Sequence, residues 1–430
     1  MPSSVPATRA RIMSIVARWT PLRNWDTVYQ HGYPTLIAPR RHDLRRASLV
    51  CASCSSWRTE QAPATPHGRA FMSEGALAGV RVVDLTSYVP GPYASMMLAD
   101  LGADVLHVES PTGDPARALP DRLEGDSALH AWLGRGKSSR VIDLRSAAGH
   151  DELLSIVEEA DVLIEGFTPG VAERLGVGPE ICRARNPRLV YCSIAGEGEG
   201  IPAPGHDISY TARTGVLDQC ADVNGTPVAI GPLISDISAG LHGSIGILAA
   251  LIERERSELG QYISVSLMGS ALAFAGPQLM KAIAGATPQR GRDLNLGGDP
   301  AYRTYGTGDG RHIVLGGLEP KFWSKLCALL ERPELVEMRT EDPDRTHREL
   351  EELFRSKPRH YWDALLDDAN VCYSPVNTLD EVLSDQRIRA AGLLVGEGGA
   401  TRIASPLRLS RTPPDSARPA PPWVDAQESH

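Results

Sequence analysis

Three short segments carry side chains suited to acid–base or nucleophilic chemistry. His206 and Asp207 precede a predicted helix, Asp236 stands directly before a long one, and Glu319 precedes Pro320 at a third helix start. An imidazole or a carboxyl group can exchange protons near neutral pH, and a carboxylate can also attack an activated carbonyl. Taken singly, residues in such places are most often surface groups or helix caps.

A fourth segment, Gly134–Lys137 (GRGK), places two cations in a turn flanked by glycine. Its spacing does not fit the GxxxxGK[ST] phosphate loop, and no GxGxxG follows the first predicted strand, so the dinucleotide-binding fingerprint is absent. The turn could still approach a phosphate closely. The alternative is a solvated loop before a strand.

Composition excludes several classes of partner. The chain has 430 residues and a net charge of -9, which argues against nucleic acid. No run approaches the roughly 18 apolar residues of a membrane span, so we expect no membrane partner. The seven cysteines are odd in number and mostly scattered, which predicts reduced thiols and a cytoplasmic location. Cys51 and Cys54 could form half of a zinc site, but no second pair completes it, and we expect no metal.

The first 71 residues differ from the rest, with ten arginines, three acids and no lysine. They predict a disordered basic arm, a transit peptide, or a stretch upstream of the true initiator, Met72. We favour the last, because a strand pattern begins soon after Met72 and nothing before it resembles a domain. At the other end we expect residues 413–430 to form a disordered tail.

Strands and helices alternate through the body of the chain. Strands are predicted at 79–86, 104–108, 141–144, 161–165 and 188–194, with helices after Pro92, at 147–160 and at 170–175. This alternation predicts βαβ units and a Rossmann-like parallel sheet in an α/β large domain, residues 72–285.

A long helix is predicted from Ile237 to Glu255. Gly240, Gly243 and Gly246 recur on one side of it, which indicates close packing by another helix, a second subunit or a ligand. Beyond a linker rich in Gly and Arg, we predict a smaller α+β domain over residues 286–380. Its elements are strands at 311–315 and 371–375 and helices at 320–330 and 345–366. Residues 381–412 should then return to the large domain.

Four segments, in this order along the chain, resemble one family. They are LAGVRVVDLTSYVPGPYASMMLADLGADVLHVESPTGD from Leu77, LGRGKSSRVIDLRSAAG, ADVLIEGFTPGVAERLGVGPE and NPRLVYCSIAGEG. The series is similar to family III CoA-transferases and α-methylacyl-CoA racemases, and it extends to Trp323 and on toward Leu407. The racemase branch is marked by GHDINY and by an EP pair in the smaller domain. This chain reads GHDISY at Gly205–Tyr210 and LEP at Leu318–Pro320.

The resemblance implies the chemistry. The residue at Asp236 is a covalent nucleophile in the transferases and a proton-transfer base in the racemases. We therefore expect racemisation of 2-methylacyl-CoA, an activity of lipid metabolism, with His206 and its supporting Glu319 on one face of the substrate and Asp236 on the other. Backbone N–H groups at the start of the Asp236 helix would hold the enolate oxygen. The alternatives are a CoA-transferase with Asp236 as nucleophile and an inactive CoA-binding protein.

The resemblance also implies where CoA lies and what the enzyme needs. Phosphates and adenine should contact Ile142, Asp143, Leu144 and Arg145, with Lys137 and Arg174 nearby; the GHDISY block should add Gly205, Asp207 and Tyr210. The family forms interlocked homodimers with the active site between subunits, and we expect no cofactor beyond CoA itself in the acyl-CoA substrate. Two residues depart from the family pattern. Ser235 stands where glycine is usual, and Ser110 where racemases often have an arginine near the adenine.

Overall fold

The computed structural model describes residues 75–123, 125–221, 225–289 and 292–423. The predictions for residues 1–71, including the Cys51 and Cys54 pair, lie outside these ranges.

The large domain alternates strands and helices. In chain order it contains β1 (Arg81–Asp84), α1 (Pro90–Asp100), β2 (Asp104–Glu109), β3 (Arg122–Leu123), β4 (Asp126–Ser127), α2 (Ala128–Leu133), β5 (Ser138–Val141), α3 (Ala147–Glu158), β6 (Val162–Glu165), α4 (Val171–Arg174), α5 (Pro179–Arg185), β7 (Val190–Ala195), α6 (Asp207–Arg213), α7 (Val216–Gln219), α8 (Ile234–Ser257), β8 (Tyr262–Ser266), α9 (Leu267–Phe274) and α10 (Gly276–Ile283).

Within the described residues, the central sheet has six strands in the order β5-β2-β1-β6-β7-β8, all parallel. The predicted α/β class with a Rossmann-like sheet is therefore confirmed. One strand was misplaced by three residues: β5 covers Ser138–Val141, not 141–144. Ile142–Arg145 consequently follow the carboxyl end of the strand, which is the edge where open α/β sheets bind ligands.

The glycine side of α8 packs against α1 and the sheet. A Cβ built on Gly240 would lie 2.6 Å from the carbonyl oxygen of Pro90, and one on Gly243 would lie 3.1 Å from Ile194 Cδ1. Of the three explanations for this spacing, the packing of another helix is the one observed. By length and composition α8 could also cross a membrane, but half of its apolar window is buried inside the protein, as in ordinary core helices.

The smaller domain is built on an antiparallel sheet of order β11-β10-β9 within the described residues. Its elements are β9 (Tyr302–Gly306), β10 (His312–Gly316), α11 (Pro320–Leu329), α12 (Leu335–Glu341), α13 (Pro343–Arg355), α14 (Arg359–Leu366) and β11 (Tyr373–Pro375). The single helix predicted at 345–366 is two helices, because Pro358 cannot continue the first and restricts the residue before it. Tyr305, Phe354 and Trp362 lie in a hydrophobic core that is separate from the core around the six-stranded sheet.

The C-terminal segment contains α15 (Leu379–Ser384), α16 (Gln386–Ala390), β12 (Leu394–Val395) and β13 (Arg402–Ile403). We expected disorder from Pro413, and for residues 413–423 this was wrong. Asp415 N–H donates to the carbonyl of Asp100 at 2.9 Å, and Gly136 N–H donates to the carbonyl of Pro419 at 2.9 Å. Backbone hydrogen bonds thus fix a proline-rich segment that has no helical or strand period of its own.

Candidate active site and CoA cavity

Asp236 lies in the first turn of α8, and Asp207 caps that turn. Asp207 Oδ1 accepts the backbone N–H of Ser235 at 2.7 Å, the backbone N–H of Asp236 at 3.2 Å and the Ser235 hydroxyl at 2.8 Å. Within α6, by contrast, His206 and not Asp207 is the N-cap residue. The buried Asp207 carboxylate instead ties the start of α6 to the start of α8.

This cap contradicts one part of the predicted mechanism. The first N–H groups of α8 were expected to hold an enolate oxygen. Those of Ser235 and Asp236 bond to Asp207, and that of Ile237 donates to the carbonyl of Leu233 at 3.1 Å. A carboxylate stabilises a helix start through the same unpaired N–H groups that an oxyanion would need, so these groups are already occupied.

The surroundings of Asp236 favour its protonated form. Burial and the charge of Asp207 raise the pKa of Asp236 to about 6, while His206 and the Ser235 hydroxyl partly oppose the rise. His206 directly precedes Asp207, whose carboxylate accepts the backbone N–H of Asp236, so His206 and Asp236 lie on adjoining helix starts. His206 itself is exposed at the start of α6. The structure thus brings together two of the three predicted catalytic residues.

Tyr210 and Gly205 complete this corner of the large domain. Tyr210 is buried, and a Cβ built on Gly205 would lie 2.7 Å from its hydroxyl oxygen, so Gly205 is needed for close packing on the tyrosine ring. Burial and the charges of Glu197 and Asp236 raise the pKa of Tyr210. Gly205, Asp207 and Tyr210, which we expected to contact CoA, therefore shape the surroundings of Asp236.

Glu319, the third predicted catalytic residue, stands on the smaller domain. It is the exposed N-cap residue of α11, with Pro320 in the first helical position as predicted. Its charge acts on Cys372 of the same small domain, and it is not among the groups that shift the pKa of Asp236.

A cavity of about 710 Å³ opens at the carboxyl ends of β1, β2, β5 and β6. It is lined by Ile142, Asp143, Leu144, Arg145 and Arg174, all predicted to contact CoA, and by the turn Ser110–Pro115 that follows β2. Sequence reasoning missed this turn, apart from Ser110, and also missed Phe167. The turn begins directly after β2, and Phe167 lies two residues after the end of β6. A position just beyond the carboxyl end of a parallel strand is the signal that could have identified them.

Lys137 was expected beside the CoA phosphates, but it does not line this cavity. Its buried ammonium donates to Asp84 Oδ2 at 3.1 Å and to the carbonyl of Pro92 at 3.1 Å. Burial opposes the charge on Asp84, yet Lys137 and His107 outweigh it and hold the pKa of Asp84 below its usual range. Lys137 is therefore a structural cation that joins β5 to β1 and α1.

Comparisons with known proteins agree with this architecture. CoA-transferase family III matches residues 77–427, and the chain belongs to this family. It is 36% identical over 348 residues to alpha-methylacyl-CoA racemase of Mus musculus, covering 78% of this chain and 87% of that protein. It is 31% identical over 374 residues to succinyl-CoA:mesaconate CoA-transferase of Haloarcula hispanica, covering 81% and 93%. A CAIB/BAIF family protein from Brucella suis superposes with a TM-score of 0.73 at 30% identity, covering 82% and 97%.

The family is enzymatic, and its members include racemases and CoA-transferases at similar identity to this chain. An acyl-CoA substrate is consistent with that membership.

Proposed function

We propose that the enzyme racemises 2-methylacyl-CoA thioesters by proton transfer at the carbon next to the thioester carbonyl. The placement of Asp236 and His206 on adjoining helix starts carries the proposal. A carboxyl group whose pKa is raised to about 6 can hold a proton or release it near neutral pH, as a two-base reaction requires in its two directions.

One group of the pair removes the α-proton, and the electron pair of the broken C–H bond moves onto the thioester oxygen to give an enolate. The other group then donates its proton to the opposite face of the same carbon, and the electron pair returns to form the new C–H bond. His206, supported by Glu319, acts on one face and Asp236 on the other. When the product is released, the group that acted as the base holds the proton and the other group is unprotonated. The free enzyme is then ready for the reverse reaction.

This pKa does not separate racemisation from the alternative, acyl transfer through Asp236. A carboxyl group with a pKa of about 6 is largely ionised at neutral pH and can also attack the thioester carbon. The transferase reaction therefore serves as the competing outcome of the test.

In this proposal a second subunit brings Glu319 to His206, and the surface of the large domain favours such a partner. Leu241, Ile245 and Ile252 project from one side of α8, and the last two are 61% and 70% exposed. Met280 and Ile283 on α10 are 61% and 68% exposed. Apolar side chains exposed in such numbers, here on α8 and α10, are typical of subunit contacts, and a homodimer would cover them.

The test is incubation with a resolved 2-methylacyl-CoA in heavy water. Racemisation requires solvent deuterium at C2 and loss of optical purity without any added carboxylic acid. His206→Ala and Asp236→Asn should each reduce exchange at least about 100-fold. His242→Ala is the matched control, because His242 is exposed on the same helix as Asp236 and its side chain bonds to Ser270, with no other side-chain bond among the described residues. A hydroxylamine-sensitive adduct on Asp236 with no exchange at C2 would reject racemisation in favour of transfer.

A further inference from the structure

Glu319 stands on a short connection between two elements of the smaller domain. The connection runs from β10, which ends at Gly316, to α11, which begins at Pro320. Among the described residues, the Glu319 side chain makes no capping hydrogen bond at that helix start. Its backbone carbonyl accepts the N–H of Trp323 at 3.1 Å. The placement of the Glu319 carboxylate therefore depends on what holds the backbone of this connection.

Arg339 on α12 holds the residue before Glu319. Its Nη1 donates to the carbonyl of Leu318 at 3.0 Å. The same guanidinium binds the Asp299 carboxylate through two nitrogens, Nε to Oδ1 at 2.9 Å and Nη2 to Oδ2 at 2.8 Å. All three nitrogens of this planar group are thus engaged, an arrangement that a lysine ammonium cannot reproduce.

Trp323 links the same arginine to Glu319 by a second route. The Arg339 guanidinium carbon lies 5.2 Å from the centre of the Trp323 ring. Trp323 is 2% exposed, and its indole N–H donates to the carbonyl of Leu335 at 3.1 Å, so the ring is fixed in the domain core. Arg339 therefore contacts both the residue before Glu319 and the residue whose N–H binds the Glu319 carbonyl.

Asp299 fixes the orientation of Arg339 from the segment that joins the two domains. This residue follows α10 of the large domain and precedes β9 of the smaller one. Its Oδ1 also accepts the backbone N–H of Ala301 at 2.8 Å. The side chains of Arg339 and Asp299 are 13% and 24% exposed, and a partly buried ion pair is screened less than one in open solvent. The Leu318 carbonyl is thus held to a well-anchored point of the domain.

We infer that Arg339 is a positioning residue of the reaction: it holds the Leu318 carbonyl, with Asp299 fixing its orientation, and so directs the Glu319 carboxylate toward His206. The inference rests on the proposal that Glu319 supports His206 in proton transfer. Arg339 acts through Glu319 and does not touch the substrate. Without this hold the connection can shift, and a misplacement of about 1 Å can cost on the order of 100-fold in rate.

Two variants of Arg339 test the inference by exchange of the C2 hydrogen of a 2-methylacyl-CoA in heavy water. Arg339→Lys keeps a charge beside Asp299 but has a single nitrogen for both acceptors, so the protein should fold with the hold weakened. Its kcat should fall about tenfold while KM changes less than about twofold, because the CoA cavity lies in the large domain. Arg339→Met should lower kcat about 100-fold. Arg355→Met is the matched control, because it removes an exposed ion pair of the same domain, with Glu351 at 2.8 Å, and should leave kcat unchanged.

A double variant separates positioning of Glu319 from a general structural role. If Arg339 acts through Glu319, adding Arg339→Lys to Glu319→Gln should slow the residual exchange no further. A structural effect independent of Glu319 would multiply the two losses and overturn the inference. Wild-type kcat in both Arg339 variants would also overturn it, while exchange by the wild-type protein would leave the proposed function standing. Absence of exchange in the wild-type protein would reject the proposed function, and the inference with it.

Discussion

Asp207 Oδ1 accepts the backbone N–H of Asp236 at 3.2 Å, so one carboxylate caps the helix turn on which the other stands. The cap fixes the position of Asp236, and its negative charge also makes ionisation of Asp236 harder. A single residue therefore controls both the placement and the proton affinity of the proposed base. This arrangement allows the two effects to be separated by mutation.

Asp207→Asn should shift the pH dependence of activity. All three bonds that position α8 end on Oδ1, and an amide oxygen can accept them, whereas the charge is lost. The pKa of Asp236 should then fall from about 6. Because the active enzyme carries one proton shared between two bases, kcat/KM should be bell-shaped and identical in shape for both enantiomers. The acid limb of that bell should move to lower pH in Asp207→Asn.

Ser235→Ala gives the matching control with the opposite sign. Its hydroxyl lowers the pKa of Asp236, so its removal should move the acid limb to higher pH, with a loss of roughly 1 kcal/mol of stability from one hydrogen bond. If the acid limb of the kcat/KM profile moved in the same direction in Ser235→Ala as in Asp207→Asn, this account of the site would be contradicted.

The fold was largely predictable from the sequence, because hydrophobic periodicity and turn-forming residues determine secondary structure locally. Gly102, in the left-handed region at φ 101°, follows the C-cap residue Leu101 and ends α1, as glycine often does at a helix C-terminus. The site was less predictable, because burial and pairing depend on residues distant in the chain. Lys137 has the same local signature as a phosphate-binding lysine, yet Asp84, 53 residues earlier, removes it from the cavity.

Asp236→Asn should stabilise the protein above pH 6. The pKa of Asp236 rises from 3.8 to about 6 on folding, so the stability available with a neutral carboxyl is lost as the pH rises through this window. Allowing for partial exposure, the neutral asparagine should gain on the order of 1–2 kcal/mol at pH 8 and almost nothing at pH 4. Thermal unfolding at the two pH values measures the difference. An equal gain at both would indicate an effect unrelated to ionisation.

Hybrid dimers test whether Glu319 acts across a subunit boundary. Asp236→Asn and Glu319→Gln should each be nearly inactive alone. When the two variants are co-expressed, half of the dimers are hybrids, and each hybrid has one site with both residues intact. About a quarter of wild-type activity should return. Activity no greater than the sum of the two parents would place Glu319 in its own subunit's site or outside catalysis.

The Lys137→Met variant should be less stable than the wild-type protein, whereas Arg145→Ala should keep wild-type stability. Removal of the ammonium leaves the Asp84 carboxylate buried without its main partner, a change that costs roughly 3–5 kcal/mol. Arg145 is exposed at the large cavity, so its loss should instead raise KM for an acyl-CoA. Urea unfolding and steady-state kinetics on both variants distinguish the roles. A raised KM without destabilisation in Lys137→Met would restore it as a CoA contact.

Gly240→Ala should lower stability even though alanine is the better helix former. Gly240 lies one turn beyond Asp236 on α8, and an added Cβ would stand 2.6 Å from the backbone oxygen of Pro90, which can move only if α1 moves. Overpacking of this kind costs about 1–3 kcal/mol, against a propensity gain of about 1 kcal/mol. Gly246→Ala is the matched control, because its nearest neighbour is the Ile263 Cγ2 methyl group at 3.1 Å, which a small side-chain movement can relieve. Thermal unfolding should therefore show a lower Tm for Gly240→Ala than for Gly246→Ala. The reverse order would mean that contact between α1 and α8 does not set the position of the helix turn that carries Asp236.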